Sequence, residues 1–505
     1  MKAHLMTTRP AKKPRSPAYF AMDIALGLIV VWSIFAFWLM PELISESYHG
    51  NGPGPLNRFF AGRSSKKSLD YYLNLWVSFR NSVYLGFISF FLILFCIHSK
   101  IRCKKTEVLL IITSAIFLAL TILWGPRQDY VAHLKIWDMI NSGNDPWWLQ
   151  PDSGIILNAY GPFFNLLALP AKINPLAPKL FFSTIYLIYC IFLCNSLEIR
   201  NQSQNGMHSI KLFLYLFSPF FWLEIAFYGH FDLLVGLLVV NGIYLAQKKR
   251  EIQSGILIAL GFLLKFLPVI FLPIIAVRRT HKIEIHWKII VSSIMVMASG
   301  MIISLNIWGE STFRPLLFAS SRGSSLISFW RYIKGPYSPI ALINQPVPDL
   351  DFLATPLLLL ILAMIWLFYL KYQISIMHGS LMVILATLIF YRVGFLQYQM
   401  VLFLLLPVWY LQNSGTITTD PLIKIPVFIY FAWITCFDLF DNAVGGIIGF
   451  DRPYAWVEDW AGLPHFLCGS LFLIALFRMS VLENAITRNP TAATDHQNAP
   501  IKNVK

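Results

Sequence analysis

Charge is what this sequence has least of. Only 13% of its 505 residues are Asp, Glu, Lys or Arg, where a water-soluble chain carries about 25%. With 57% hydrophobic residues, that scarcity excludes an ordinary soluble enzyme. Cysteine is also sparse: six residues, at 96, 103, 190, 194, 436 and 468, with no C-x-x-C pair among them. A disulfide framework and a structural zinc site are therefore not indicated. No P-loop, glycine-rich dinucleotide fingerprint or H-E-x-x-H motif occurs, so a soluble nucleotide donor and zinc-hydrolase chemistry are not signalled. No repeat of fixed period is visible either.

What is present is a succession of apolar runs of the length a bilayer requires, about 17–25 residues. They predict an all-α polytopic membrane protein with about twelve spans, near 20–41, 82–98, 107–124, 178–197, 209–227, 232–247, 287–306, 353–371, 380–394, 397–411, 424–442 and 463–479. The formal net charge is +15, and its basic residues are scattered between the runs. That distribution fits cytoplasmic loops and an anionic leaflet or substrate, and not nucleic acid. The N-terminal arm, KIRCKK (100–105), QKKR (247–250) and RRTHK (278–282) are the basic loops. They place both termini in the cytoplasm and loops 43–81, 125–177, 307–352 and 443–462 outside.

One segment resists a simple span. GILIALGFLLKFLPVIFLPIIAVRR (255–279) is flanked by basic residues at both ends, with Lys265 at its middle and Pro268 and Pro273 beyond. Two half-helices meeting near Lys265–Phe266 satisfy both flanks; a single kinked span with a snorkelling lysine is the plainer alternative. NAYGPFFNLLALPAKI (158–173) is short for a span and reads as an interfacial helix. The expected organisation is an arm with two extra spans over 1–106, a catalytic membrane domain over 107–482, and a polar, disordered cytoplasmic tail over 483–505.

Ionisable residues beside or inside apolar runs are costly and mark candidate sites. Asp129 follows the third run; Asp138, Asp145 and Asp152 come after it. Glu224, His230 and Asp232 bracket the next gap. Lys265 tops the hairpin, Arg322, Arg331 and Lys334 share one loop, and Arg392, Gln397 and Tyr398 lie between two runs. Asp438 and Asp441 lie near the end of a later run. Carboxylates with cations at one membrane face suit a reaction on a lipid-linked anion. A leaving phosphate is stabilised by Arg or Lys, and a hydroxyl nucleophile by a carboxylate base. Each residue also has a plainer role: Asp129 and Asp232 as helix caps, Glu224 and His230 as mutual partners, Arg322 as a solvated loop charge, Asp438 and Asp441 as a structural pair.

An ordered series runs through the middle of the chain: Asp129-Tyr130, Gly143 with Pro146-Trp147, Tyr160 with Pro162, and Pro170. It continues through Pro219, Gly229-His230-Phe231-Asp232, Gly261 with Lys265 and Pro268, Arg322, and Gln397-Tyr398. This series resembles that of GT-C fold glycosyltransferases, specifically the polyprenyl-phosphate-mannose-dependent mannosyltransferases. The resemblance implies a GT-C-like bundle that transfers a hexosyl residue, mannosyl by that likeness, from a polyprenyl phosphate to an acceptor hydroxyl with inversion. It implies Asp129 as the base. Donor-phosphate binding is expected of Lys265, Arg322 and Arg331, and a substrate cavity of Tyr130, Tyr160, His230, Asp232, Gln397 and Tyr398, with Trp147, Trp148 and Tyr160 as sugar-facing or interfacial aromatics. The partners would be the lipid-linked donor, a glycolipid, glycan or protein acceptor, and membrane lipids, with no nucleic acid. No cofactor is called for, and a divalent cation stays open. A bacterial inner membrane fits better than the endoplasmic reticulum. The competing class is a lipid-linked-sugar flippase or another multi-pass transporter, which would show broken helices at matching positions in two related halves.

Overall fold

The computed structural model describes residues 31–51, 68–98, 103–147, 158–200, 207–279, 282–342, 349–413, 420–448 and 453–488. The basic arm up to residue 30, Trp148, Asp152 and the tail beyond Arg488 lie outside these residues. Packing divides the chain into two compact units, Met1–Thr106 with Leu439–Phe450, and Glu107–Asp438 with Asp451–Lys505.

In the first unit, a helix over Met40–Tyr48, led by a π-helical turn at Phe35–Leu39, packs on a long helix, Leu69–His98. Aromatics drive this packing. Trp32, Phe35, Trp76 and Phe79 meet with ring centroids 5.3–5.8 Å apart, and the Trp76 indole donates to the Ala36 carbonyl at 2.9 Å. The region 43–81, expected as an external loop, therefore carries helix at both ends.

The second unit is almost wholly helical. The elements that position the site are α1 (Gln128–Asn141), α2 (Asp232–Gln247), α3 (Glu251–Leu264), α4 (Leu272–Ala276), α5 (Trp287–Trp308), α6 (Asp351–Tyr372), α7 (Ile376–Phe390) and α8 (Gln399–Gln412). Apolar residues surround α7 on every side and most of α2 and α8, and this dictates their burial at the centre. α2 packs against α3, α7 and α8, and α3 against α5. A two-strand antiparallel hairpin, β1 (Val277–Arg279) and β2 (Ile283–Ile285), follows α4. A two-residue parallel pair, β3 (Ser325–Leu326) and β4 (Val393–Gly394), joins two distant loops.

The expected twelve spans are not found among the described residues. Five helices there are long and apolar enough to cross a membrane: Ala177–Cys194, Trp287–Phe318, Asp351–Tyr372, Pro421–Asn442 and Asp459–Leu482. Two bent pairs, Val108–Trp124 with Asp129–Asn141 at 67° and Leu212–Phe227 with Asp232–Gln247 at 119°, bring the number to seven if each is one span. The reasons are length and breakage. α7 and α8, both expected as spans, have only 15 and 14 residues, roughly 21–23 Å at 1.5 Å per residue, against a hydrocarbon core of about 30 Å. The last helix instead runs from Pro453 to Arg488, so the expected tail begins as helix at Glu483.

The break at Lys265 is present. α3 ends there with Lys265 in extended backbone, and a 3-10 turn over Leu267–Phe271 leads into α4. At the tip, the Gly161 N–H donates to the Leu264 carbonyl at 3.0 Å. Gly161 must be glycine here, since a Cβ would lie 2.2 Å from the Leu263 oxygen. At the base, the Arg278 guanidinium donates to the Ala246 carbonyl at 2.6 Å. The basic flanks QKKR and RR thus meet at one end of the bundle, and the lysine stands at the other.

Candidate active site

Asp129 is the second residue of α1. The N-cap is Arg127, and no side chain caps this helix, so Asp129 is not spent on capping. Its Oδ2 lies 3.2 Å from Nε2 of His230. The other ring nitrogen, Nδ1, is 2.6 Å from Oε2 of Glu224. Glu224 and His230 are buried, while the Asp129 side chain is half exposed. The arrangement is a carboxylate–imidazole–carboxylate chain, anchored inside the protein and open at Asp129. Both ring nitrogens face carboxylates, a setting that favours the doubly protonated imidazolium.

The local backbone makes this possible. After Ser218-Pro219, a π-helical turn over Trp222–Phe227 ends the helix, and Gly229 takes φ +68°. A Cβ at Gly229 would meet the Tyr130 ring at 2.8 Å. The chain can then turn and present His230 before α2 begins at Asp232.

Asp232 likewise caps nothing; its Oδ1 accepts a short hydrogen bond from Nζ of Lys265. Both side chains are buried. The Lys265 ammonium also sits 3.8 Å from the centre of the Tyr398 ring and 5.8 Å from that of Phe231. Burial works against the Lys265 charge, and the Asp232 carboxylate and the two aromatic faces oppose that penalty.

Arg322 reaches the same cluster from the far loop. Its guanidinium stands 4.3 Å from the Phe395 ring centre and 5.3 Å from that of Phe318, and it lies within electrostatic reach of the Tyr398 hydroxyl. No carboxylate pairs with Arg322 among the described residues. The loop is held by the β3–β4 pairing, with Ser325 N–H on the Arg392 carbonyl at 3.2 Å and Ile327 N–H on that of Gly394 at 3.2 Å. Asp351 ties it again: its Oδ2 accepts from the Ser324 N–H at 3.0 Å and from Lys334 Nζ at 2.5 Å. Lys334 also pairs with Asp349 at 2.9 Å. Burial works against the Lys334 charge, but its bonds to Asp351 and Asp349 outweigh this and raise its pKa; the Lys334 bond lowers that of Asp349.

Tyr160 binds the halves together, standing within electrostatic reach of Asp129, Asp232, Tyr398 and Arg322. Its ring packs edge-on to Phe231 at 4.7 Å, and its hydroxyl is 3.2 Å from Nε2 of His133. Thus Asp129, Tyr160, His230, Asp232, Lys265, Arg322 and Tyr398 come together. Three expected residues take other positions. Arg331 pairs with Asp459 at 3.0 Å. Tyr130 is buried, donating to the Pro175 carbonyl at 2.6 Å and accepting from the Lys179 N–H at 3.2 Å. Trp147 is buried edge-on to Trp308, its indole on the Tyr160 carbonyl at 3.2 Å, so it is neither an interfacial nor a sugar-facing surface aromatic. Gln397, in the 3-10 turn beside Tyr398, is half-buried.

Two participants were not expected. His133 lies four residues after Asp129 in α1, and that spacing puts both on one helix face. Phe395, the platform for Arg322, has no local signal; only long-range loop pairing brings it there.

Comparison with curated proteins gave no match. Residues 158–390 match the model of glycosyltransferase family 87, a stretch that contains Tyr160, His230, Asp232, Lys265 and Arg322 but neither Asp129 nor Tyr398, and this likeness supports a membrane glycosyltransferase.

Proposed function

We propose that the protein transfers a hexosyl residue, mannosyl by the sequence resemblance, from a polyprenyl phosphate to an acceptor hydroxyl, with inversion, on the external face of the membrane. The observation that carries this reading is the pairing of opposite chemistries in one cluster. A half-exposed carboxylate, Asp129, lies within electrostatic reach of the cations Lys265 and His230, and Arg322 within reach of Lys265.

The acceptor oxygen attacks the anomeric carbon, and its proton passes to Asp129. The bond from that carbon to the phosphate oxygen breaks, and its electron pair leaves with the polyprenyl phosphate. Arg322 receives that charge, with Lys265 beside it. His230 holds Asp129 in place through its Nε2, and Glu224 holds His230. The neighbouring imidazolium stabilises the Asp129 anion and so weakens it as a base, and proton transfer therefore accompanies C–O bond formation and does not precede it. The external placement rests on the basic flanks gathered at the opposite end of the bundle.

Purified protein in nanodiscs, supplied with a panel of polyprenyl-phosphate sugars and acceptor glycolipids, tests the reading. Release of polyprenyl phosphate with a new inverted glycosidic bond is expected, fastest with mannose. Movement of intact lipid-linked sugar across the bilayer without release would assign the protein to the transporter class.

A further inference from the structure

A cavity lies at the basic end of the bundle, away from the hairpin tip that carries Lys265. It encloses about 290 Å³ and is lined by Gln247, Arg278, Arg279, Tyr369, Gln373 and Ser375, among others, with no acid among the described residues of its wall. Drug-sized ligand pockets run from about 300 to 1,000 Å³, so this one suits a headgroup or an ion and not a nucleotide sugar.

Four elements build it. α2 ends at Gln247, β1 supplies both arginines, and α6 stops at Gln373 in the left-handed conformation, φ +52°. That stop lets Ser375 begin α7 at once, its hydroxyl capping the His378 N–H at 3.2 Å. The first turn of α7, a 15-residue helix, opens on the cavity through Ile376. The N–H groups of a first turn have no acceptor within the helix and carry its positive end. Arg278 uses one terminal nitrogen on the Ala246 carbonyl, and its Nε is buried with no hydrogen-bond partner. Glu284 stands opposite Arg278 in the β1–β2 register, but on an exposed strand and outside the lining. The Arg278 guanidinium with its unused buried donor, the neighbouring Arg279 and a helix N-terminus thus border one small space.

We infer that this cavity binds a phosphate group, either the phosphodiester headgroup of an anionic lipid of the basic-side leaflet or an inorganic phosphate ion. Arg278 supplies the inner donor, Arg279 the outer charge, and the α7 N-terminus completes the cradle. The site is separate from sugar transfer and does not depend on it.

The test uses the full-length protein in nanodiscs of phosphatidylcholine with a minor share of phosphatidylglycerol, and native mass spectrometry to count the anionic lipid retained. Arg278→Gln with Arg279→Gln removes the donors. Gln373→Glu guards against misfolding, because it keeps the Arg278–Ala246 bond and adds a carboxylate at the mouth. Each should cut retained phosphatidylglycerol roughly tenfold, the equivalent of one charge-assisted hydrogen bond. A second arm follows the melting temperature in neutral detergent as inorganic phosphate is added. Lost lipid retention in Gln373→Glu establishes a headgroup site. Unchanged lipid retention, with phosphate raising the melting temperature of the wild type and not of Gln373→Glu, establishes an ion site. Equal lipid retention and equal phosphate response in wild type and Gln373→Glu overturn the inference.

Discussion

The two nitrogens of His230 divide its work: Nδ1 is bound at 2.6 Å by the buried Glu224, and Nε2 reaches Asp129 at 3.2 Å. The shorter bond anchors the ring and the longer one aims the carboxylate. Glu224→Gln keeps the shape of this anchor but removes its charge. A hydrogen bond to a charged group contributes about 1.5–3 kcal/mol, so turnover should fall roughly 10- to 100-fold while the donor KM holds. Steady-state kinetics on matched, folded protein check this. Unchanged turnover would make the Glu224–His230 pair purely structural.

Arg322 and Arg331 should behave differently although they share a loop. Arg322 is stacked on Phe395 and faces no carboxylate among the described residues, whereas Arg331 is paired with Asp459. Arg322→Ala is expected to raise the donor KM at least tenfold, the loss of one charge-assisted contact to phosphate. Arg331→Ala should lower the melting temperature and leave donor affinity alone. The reverse outcome would move the phosphate site to Arg331.

The clamp under Arg322 sets a pH window. Asp349 has its pKa lowered below the ordinary 3.8, so its contribution is complete above that value and is lost as pH falls through the lower folded one. Lys334 is raised above 10.5, so its contribution is complete below that value and is lost as pH rises through the higher folded one. The clamp itself therefore does not titrate between these limits, and neither does a glycosyl phosphodiester, so donor affinity should be flat around neutral pH. Donor binding measured across neutral pH checks it; a step within the window would mean that another group controls the loop. Asp349→Asn should change little, since Asp351 still holds Lys334 at 2.5 Å.

Gly229→Ala should destabilise the protein by about 1–2 kcal/mol from its left-handed backbone alone. The clash with Tyr130, 2.8 Å from the new Cβ, adds to that. A lower melting temperature with disturbed activity is the expected pair of results. A fully stable Gly229→Ala would show that the turn before α2 can be made another way.

The Lys265 break was legible because its signals are local: a lysine inside an apolar run, two prolines after it, and basic residues at both ends. The Asp129–His230 approach was legible only as two motifs, since 101 residues separate them and no periodicity links them. The span count failed for a physical reason. Hydropathy reports that a run is apolar and cannot report that a π-turn at Trp222–Phe227 will fold it back by 119°, or that α7 will end after 15 residues inside protein. Trp147 was misplaced similarly: an aromatic in an external loop reads as surface until Trp308 is seen packed against it.

The central claim is that Asp129 takes the acceptor's proton, and Asp129→Asn tests it most directly. Asparagine keeps the size and a hydrogen-bonding oxygen for His230 but accepts no proton at neutral pH. The measurement is the single-turnover rate with a polyprenyl-phosphate sugar, beside Asp138→Asn as a control at an exposed position of the same helix. Loss of a positioned base costs about 10²–10⁴-fold, and that fall is predicted for Asp129→Asn, with none for Asp138→Asn. A folded Asp129→Asn protein that transfers sugar at the wild-type rate would contradict the claim and place the base elsewhere.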